Sequence, residues 1–201
     1  MKVAAMLGDG KAGLIEKPDP TPKEDFVLVK VRAVPMCTEY KGFKAGHKGE
    51  SFGHEAAGEV VEVAQPGLVQ VGDRVVVQPQ YPCGKCALCL AGEYIHCQHG
   101  RNVREITGSS TGTATYAQYQ LKLDWLLSPI PDGVSYEHAG MACCGLGPTF
   151  GVMQQMQVNA LDTILITGLG PVGLGCVINA HYRGARIIGV ESHPYRANLA
   201  K

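Results

Sequence analysis

Four cysteines stand close together in this chain in the pattern C-x2-C-x2-C-x7-C: Cys83, Cys86, Cys89 and Cys97. Links of two residues form tight turns that can direct thiolates to one tetrahedral zinc ion, and Gly84 and Gly92 permit such turns. An iron–sulfur cluster is the main chemical alternative, but the ferredoxin pattern has three residues before a Cys-Pro, whereas seven precede Cys97 here. Four thiolates leave no open coordination position, so the stretch predicts a structural zinc lobe at about residues 82–98.

The overall composition argues against several classes of protein. The chain has 201 residues, which allows one large domain or two small ones. Its 26 glycines follow no Gly-X-Y repeat, so a collagen-like fold is excluded. The formal net charge is zero and no basic cluster occurs, which argues against nucleic acid or an anionic membrane surface as the main partner.

No segment is typical of export or membrane insertion. The first apolar stretch is broken by Gly8 and Asp9, too early for a signal peptide. Two uncharged windows, His138–Leu161 and Thr163–Tyr182, are long enough to span a bilayer, but their Gly and Pro residues favour buried α/β elements. We therefore expect a cytoplasmic protein whose eight cysteines are reduced and available to metal.

Hydrophobic patterning predicts a β-rich domain over residues 1–147 and the beginning of an α/β domain over 148–201. Short β-branched runs bounded by turn residues mark the strands of the first domain. They are Val27–Val34, Ala57–Val63, Asp73–Val77 and Tyr116–Leu121. After helices begun by Ser135 and Pro148, the second domain reads as a βαβ unit. Its predicted elements are Thr163–Thr167, Pro171–Arg183 and Ala185–Val190, with a further helix from about Pro194.

A glycine-rich turn joins the first predicted strand of this βαβ unit to its helix. The turn reads G-x-G-x-x-G, and its candidate cofactor contacts are Gly168, Gly170, Pro171, Val172 and Gly173. A strand directly before this motif and a helix directly after it indicate dinucleotide binding, and the pyrophosphate then lies at the N-terminus of the helix. Glu191 ends the next strand, where a carboxylate accepts hydrogen bonds from ribose hydroxyls and favours NAD over NADP. Arg196 is the one nearby cation that could soften this preference.

A cysteine and a histidine outside the four-cysteine stretch indicate a second metal site when the motifs around them are considered. Cys37 follows a predicted strand and His54-Glu55 precedes the next, although such residues alone are more often part of a core. The order of Gly53–Gly58, Val71–Val75 and the four-cysteine lobe resembles that of the zinc-dependent medium-chain dehydrogenase/reductase family. The resemblance covers essentially the whole chain.

The resemblance implies a fold and a second metal site. The fold is a chaperonin-10-like (GroES-like) catalytic domain followed by an incomplete Rossmann domain. Cys37 and His54 are implied as catalytic-zinc ligands, with Glu55 beside the metal. The implied third ligand is Cys144, which opens a Cys-Gly-x5-Gly segment like that of alcohol dehydrogenases, and its neighbour Cys143 is then an ordinary core residue.

The chain departs from the family pattern immediately after Cys37. The family has Ser or Thr two residues later to pass the alcohol proton to solvent, and Glu39 stands at that position. Two interpretations stay open: a local shift brings Thr38 into the role, or Glu39 accepts the proton itself. His47 is an outer relay member or a solvated loop histidine. The segment between Cys37 and His54 reads as a short, glycine-rich loop that alters the substrate pocket.

Together these features imply an NAD-dependent zinc alcohol or polyol dehydrogenase with one catalytic and one structural zinc per chain. In this reaction zinc acts as a Lewis acid toward a small alcohol or polyol, and hydride passes to the nicotinamide. Family analogy adds a homo-oligomer, either a dimer or a tetramer. The alternative is a non-catalytic zinc-binding module that kept the fold. Because only two strands of a six-stranded dinucleotide fold are present, we expect part of a longer enzyme, poorly active in isolation.

Overall fold

The structure, a computed structural model, describes residues 1–201 and divides into two units, Met1–Gly140 and Met141–Lys201. The division lies slightly before the boundary expected near residue 147. The first unit is rich in β-structure, and the second contains a βαβ arrangement. No helix has the length and apolar character needed to cross a membrane.

Short strands and very short helices alternate in the first unit. In chain order its elements are β1 (Lys2–Gly8), β2 (Lys11–Glu16), β3 (Phe26–Ala33), α1 (Glu39–Lys44), β4 (Lys48–Gly49), β5 (Ala56–Val63), β6 (Arg74–Val77), α2 (Ala87–Leu90), α3 (Val103–Thr107), β7 (Tyr119–Leu123), β8 (Leu127–Pro129) and α4 (Tyr136–Gly140). Five strands form an antiparallel sheet in the order β7-β3-β5-β6-β8, and a smaller sheet has the order β2-β1-β4.

The central strand β3 buries both of its faces. Val27 and Val29 pack on one side with valines of β5 and β6, while Phe26 and Leu28 pack on the other with leucines of β7. Alternate residues of a strand point to opposite faces, so a continuous apolar run is what a strand covered on both sides requires. The first unit is therefore built around the middle of its larger sheet.

One predicted strand begins later than expected. The sequence predicts a strand over Tyr116–Leu121, but β7 begins at Tyr119. The backbone N–H of Tyr116 donates to Phe52 and its carbonyl accepts from Ala4. Because these bonds join the segment to β1 and to the chain before His54, it does not continue the ladder with β3.

The second unit matches the predicted βαβ unit closely. Its elements are a π-helical turn (Ala142–Leu146), α5 (Gly147–Gln155), β9 (Thr163–Thr167), α6 (Pro171–Tyr182), β10 (Arg186–Val190) and α7 (Pro194–Leu199). β9 and β10 are parallel and joined by α6. Met153, Val158, Ala180 and Ala185 form the core of the unit. The π-helical turn was not expected from the sequence.

Replacing Leu123 by Ala should strongly destabilise the first unit. The Leu123 side chain is fully buried and packs in one cluster with Phe26 and Leu28 of β3. Its removal leaves a cavity that costs about 2–5 kcal/mol of unfolding free energy. Urea unfolding measures this loss. Leu68→Ala is the matched control, since Leu68 is 76% exposed and its removal should change the free energy by less than about 0.5 kcal/mol. Equal losses would contradict the assigned core.

Candidate functional site

The four lobe cysteines converge around one point. Their sulfur atoms all lie within 4.8 Å of one another, with Cys86 3.5 Å from Cys89 and Cys83 3.8 Å from Cys89. Zinc bonds to sulfur of about 2.3 Å place tetrahedral sulfurs about 3.8 Å apart. The four cysteines form no disulfide. Their donor set and spacing therefore fit one tetrahedral zinc ion.

Backbone amides and burial act oppositely on these thiols. The Lys85 amide donates to the sulfur of Cys83 and lowers the pKa of that thiol to about 6. Burial raises the pKa of Cys89 to about 12. Amides of Cys83 and His99 also point at the sulfur of Cys97, at 3.3 and 3.4 Å. Amide donors of this kind stabilise sulfur-centred negative charge, as a thiolate metal site needs.

Aromatic packing holds the lobe on the larger sheet. Tyr94 contacts Trp125 edge-on, with ring centroids 5.5 Å apart, and the Trp125 indole N–H donates to Asp25. Gly84, between the first two cysteines, lies against the same indole ring. The lobe is thereby fixed beside β3 and β7 rather than projecting as a free loop.

A second group of donors lies where β3 ends and β5 begins. The Cys37 sulfur, a ring nitrogen of His54 and a carboxylate oxygen of Glu55 lie within 4.8 Å of one another. Glu55 is buried, while Cys37 and His54 are partly exposed. One thiol, one imidazole and one carboxylate form a donor set suited to zinc. The structure thus brings three of the predicted site residues together within the first unit.

Glu39 links the backbone and the histidine of this group. One carboxylate oxygen lies 2.8 Å from His54 Nδ1, and the other accepts a hydrogen bond of 3.0 Å from the Cys37 amide. The side chain is only 13% exposed. A carboxylate on Nδ1 fixes the tautomer and leaves Nε2, which lies 3.7 Å from Glu55, as the nitrogen that can bind metal.

The segment that was expected to be a loop contains a helix. Glu39–Lys44 form α1, which begins directly after Thr38. Thr38 is exposed and makes no side-chain cap hydrogen bond. His47 follows the helix as an exposed residue outside the donor group.

Gly53 sets the chain direction just before His54. Its φ of +86° lies in the left-handed region, and a Cβ added there would stand 2.1 Å from the hydroxyl oxygen of Thr115. Amides of Thr115 and Tyr116 both donate to the carbonyl of Phe52. Only glycine satisfies both the backbone conformation and this close approach, so the residue positions the His54-Glu55 pair.

The glycine-rich turn has the expected setting between β9 and α6. Gly168 has a φ of +81°, and a Cβ on Gly173 would lie 1.9 Å from the Gly168 carbonyl oxygen. Gly170 caps the twelve-residue helix, and Pro171 occupies its first turn, followed by Val172. The turn and helix therefore pack too closely for a side chain at the last glycine of the motif.

Glu191 contacts this turn directly. Its carboxylate accepts hydrogen bonds from the amides of Leu169 at 2.7 Å and His193 at 2.8 Å. The His193 and Leu169 bonds lower the pKa of Glu191, and Arg196 adds to the effect. The carboxylate consequently stays charged at the end of β10.

Cys143 and Cys144 lie in the π-helical turn of the second unit. Both are partly buried. Helix α6 packs closely on this turn, because a Cβ on Gly175 would stand 1.8 Å from the Gly145 carbonyl oxygen, and Asn179 donates to the Leu146 carbonyl. Such turns are frequent at functional sites.

Comparison with known proteins decides the family. Residues 23–132, more than half of the chain, match the model for the alcohol dehydrogenase GroES-like domain. An uncharacterized zinc-type alcohol dehydrogenase-like protein of Escherichia coli (strain K12), YphC, is 32% identical over 100% of this chain and 60% of its own length. The chain belongs to the zinc-type alcohol dehydrogenase family. The predicted GroES-like domain with a partial Rossmann-like portion is confirmed.

Two further members of the alcohol dehydrogenase family are similar along the whole chain. The sorbitol dehydrogenase of Bacillus subtilis (strain 168) is 32% identical over 100% of this chain and 58% of its own length. The structure of alcohol dehydrogenase TADH from Thermus sp. ATN1 superposes with a TM-score of 0.85, at 25% identity, covering 100% of this chain and 60% of that one. The chain thus spans about 60% of the length of these relatives.

Two residues near the donor group of this alcohol dehydrogenase family member were not predicted from the sequence. Tyr116 lies near Cys37, Glu39 and Glu55, and its burial, reinforced by those groups, raises the pKa of Tyr116 to about 12. Phe43 of α1 borders a cavity beside Glu39. An apolar spacing of three residues from Tyr40 was the available signal for this helix.

Replacing Gly53 by Ala should destabilise the first unit and disturb the donor group. Left-handed backbone at a non-glycine residue costs about 1–3 kcal/mol, and the clash with Thr115 adds to it. Gly72→Ala is the matched control, because Gly72 has a φ of +97° with nothing within 4 Å of an added Cβ. Thermal and urea unfolding should show the larger loss for Gly53→Ala. An equal loss in both variants would contradict the role of the close approach.

Proposed function

We propose that this chain carries the zinc centre and part of the cofactor site of an NAD-dependent alcohol or polyol dehydrogenase. The observation that carries the proposal is the convergence of Cys37, His54 and Glu55 in the first unit of a chain that belongs to this family. In this proposal residues 1–147 form the catalytic domain and 148–201 contribute to binding NAD. The substrate is a small alcohol.

Cys37 and His54 would hold the catalytic zinc, with Glu55 beside it. Cys144 is proposed as the third protein ligand on the strength of its Cys-Gly-x5-Gly segment, leaving Cys143 as a core residue. A bound zinc ion would supply Lewis acidity that lowers the pKa of the alcohol. Three protein ligands are the number that a catalytic zinc site uses while keeping one position open.

Glu39 acts in this proposal as a positioning residue. Both of its oxygens are engaged, one with His54 Nδ1 and one with the Cys37 amide. It therefore orients one ligand and the backbone of another. We assign the proton relay to Thr38, an exposed residue that directly follows Cys37 in the chain and whose side chain makes no cap hydrogen bond to α1.

The proposed cofactor site is the turn from Gly168 to Gly173. Free N–H groups at the start of α6 and the positive end of the helix dipole favour the pyrophosphate there. Glu191 is charged and stands at the end of β10, where it would accept from ribose hydroxyls and repel a 2′-phosphate. These features support NAD rather than NADP.

The lobe cysteines would hold the second zinc ion in a structural role. Four thiolates close the coordination shell, so this site contributes stability rather than chemistry. We further propose a cytoplasmic homo-oligomer, dimer or tetramer, which sedimentation velocity would test.

Metal content and turnover of single-cysteine variants test the proposal. The purified chain should contain two zinc ions, and its NADH formation from alcohols in the presence of NAD should be detectable but slow, as the sequence predicts for this chain in isolation. Cys37→Ser should retain one zinc ion and lose most of the activity, because one of the proposed ligands of the catalytic zinc is removed. Cys89→Ser should also retain one zinc ion, with a lower unfolding temperature. Cys176→Ser is the control, since Cys176 belongs to neither donor group.

Two outcomes would contradict the proposal. Two zinc ions without NADH formation from any alcohol or polyol would favour a non-catalytic zinc-binding module. A single zinc ion in the wild-type chain that survives in Cys37→Ser would remove the catalytic site.

Substitution of Glu191 separates charge from geometry in the cofactor site. Glu191→Ala should weaken NAD binding about tenfold or more and reduce discrimination against NADP, since a charged hydrogen-bond acceptor is lost. Glu191→Gln is the matched variant, because its carbonyl can still accept from the Leu169 amide. It should keep the stability of the second unit while losing part of the discrimination. Calorimetric titration with both nucleotides measures this, and an unchanged preference in both variants would refute the assignment.

A further inference from the structure

A cavity of about 300 Å³ lies within the first unit, beside the donor group. We infer that it receives the hydrocarbon body of the substrate, and that the substrate is an apolar alcohol with an aromatic ring or a branched alkyl chain. The inference rests on the proposed dehydrogenase function and specifies its substrate class. It differs in class from the polyol named for the Bacillus subtilis relative.

The walls of the cavity are almost entirely apolar. They come from β1, β2, α1 and the segments around Phe52 and Tyr116, and Met6, Met36 and Phe43 contribute the longest aliphatic and aromatic surfaces. Among its lining residues only Glu39 carries a charge, and none is Lys or Arg. Ligand pockets lined in this way select apolar groups and leave orientation to a few polar atoms.

The charged corner of the cavity contacts the donor group. Glu39 lines the cavity and contacts His54 Nδ1, and Met36 immediately precedes Cys37. The Tyr116 hydroxyl donates to the Pro35 carbonyl at 3.4 Å, and the tyrosine ring forms part of the cavity wall. A substrate with its hydroxyl toward Cys37 and His54 can therefore extend its carbon skeleton into the apolar space.

The shortage of polar and cationic side chains in the lining disfavours polyols and phosphorylated substrates in this cavity. Only Glu39, Tyr40 and Tyr116 of the lining carry hydrogen-bonding side-chain oxygens. A polyol would bury more hydroxyls than these groups can pair, which costs free energy for each one left unpaired. A phosphate would find no cation in the lining and would face the carboxylate of Glu39. A cavity half this size holds one benzene ring, so about 300 Å³ suits a ring with a short side chain.

Methionine methyl groups provide a direct readout of the cavity. In a chain with 13C-labelled methionine ε-methyl groups, Met6 and Met36 report on the cavity, while Met153 and Met156 lie in the second unit. Benzyl alcohol should shift the first two signals saturably and leave the other two unchanged, with and without added zinc. Sorbitol at the same concentrations should shift none. Equal saturable shifts with sorbitol would overturn the inference.

Larger side chains placed at the edge of the cavity should occupy the space in which the substrate binds, and such variants test the assignment. Ala12 lines it from the exposed strand β2, so Ala12→Phe should weaken benzyl alcohol binding at least tenfold while preserving the fold. Ala12→Leu is a milder second variant with a smaller loss. Ala64→Phe is the control at an exposed alanine outside the cavity. Unweakened binding in both Ala12 variants would refute the assignment of the cavity.

Turnover separates this inference from the proposed function. More efficient NADH formation from sorbitol than from benzyl alcohol would overturn the substrate class while the dehydrogenase stands. Saturable Met6 and Met36 shifts without NADH formation from any alcohol would overturn the dehydrogenase and retain the apolar alcohol site. NADH formation from benzyl alcohol that falls in Ala12→Phe and not in Ala64→Phe supports both.

Discussion

The antiparallel pairing of β3 with β5 is the constraint on which the donor group depends. Ala33 at the end of β3 pairs with Ala57 at the start of β5. Cys37 leaves the sheet from one strand and His54-Glu55 enters it on the other, so one register places all three side chains at the same edge. Lys30 of β3 pairs with Glu59 of β5 in this register, and a slip by one residue would separate this pair and exchange the faces of every side chain.

Glu39 belongs both to the surroundings of the donor group and to the lining of the apolar cavity at this edge of the sheet. It is the charged member of an otherwise apolar cavity and the partner of His54. Helix α1 presents Glu39 and Phe43 four residues apart, on the same face toward the cavity, so a short helix supplies both a polar orienting group and an apolar wall. The residue two positions after Cys37 therefore contributes both the carboxylate that contacts His54 and part of the wall of the cavity.

Local patterns in the sequence predicted much of this arrangement. Cysteine spacing predicted the lobe cluster, and β-branched runs between Gly and Pro residues predicted β9, α6 and β10 almost to the residue. Helix α1 was missed because it has only six residues and contains Gly42. The Glu39–His54 contact and the late start of β7 depend on pairing between distant segments, which no local pattern records. The role of Cys144 stays a prediction.

Glu191 and the glycine-rich turn have a consequence for the energetics of ligand binding. The carboxylate already holds the amides of Leu169 and His193, so the turn is ordered before any ligand arrives. A ligand at the start of α6 then meets a backbone whose conformational entropy has been lost during folding. Such preorganisation leaves more of the interaction free energy available as affinity.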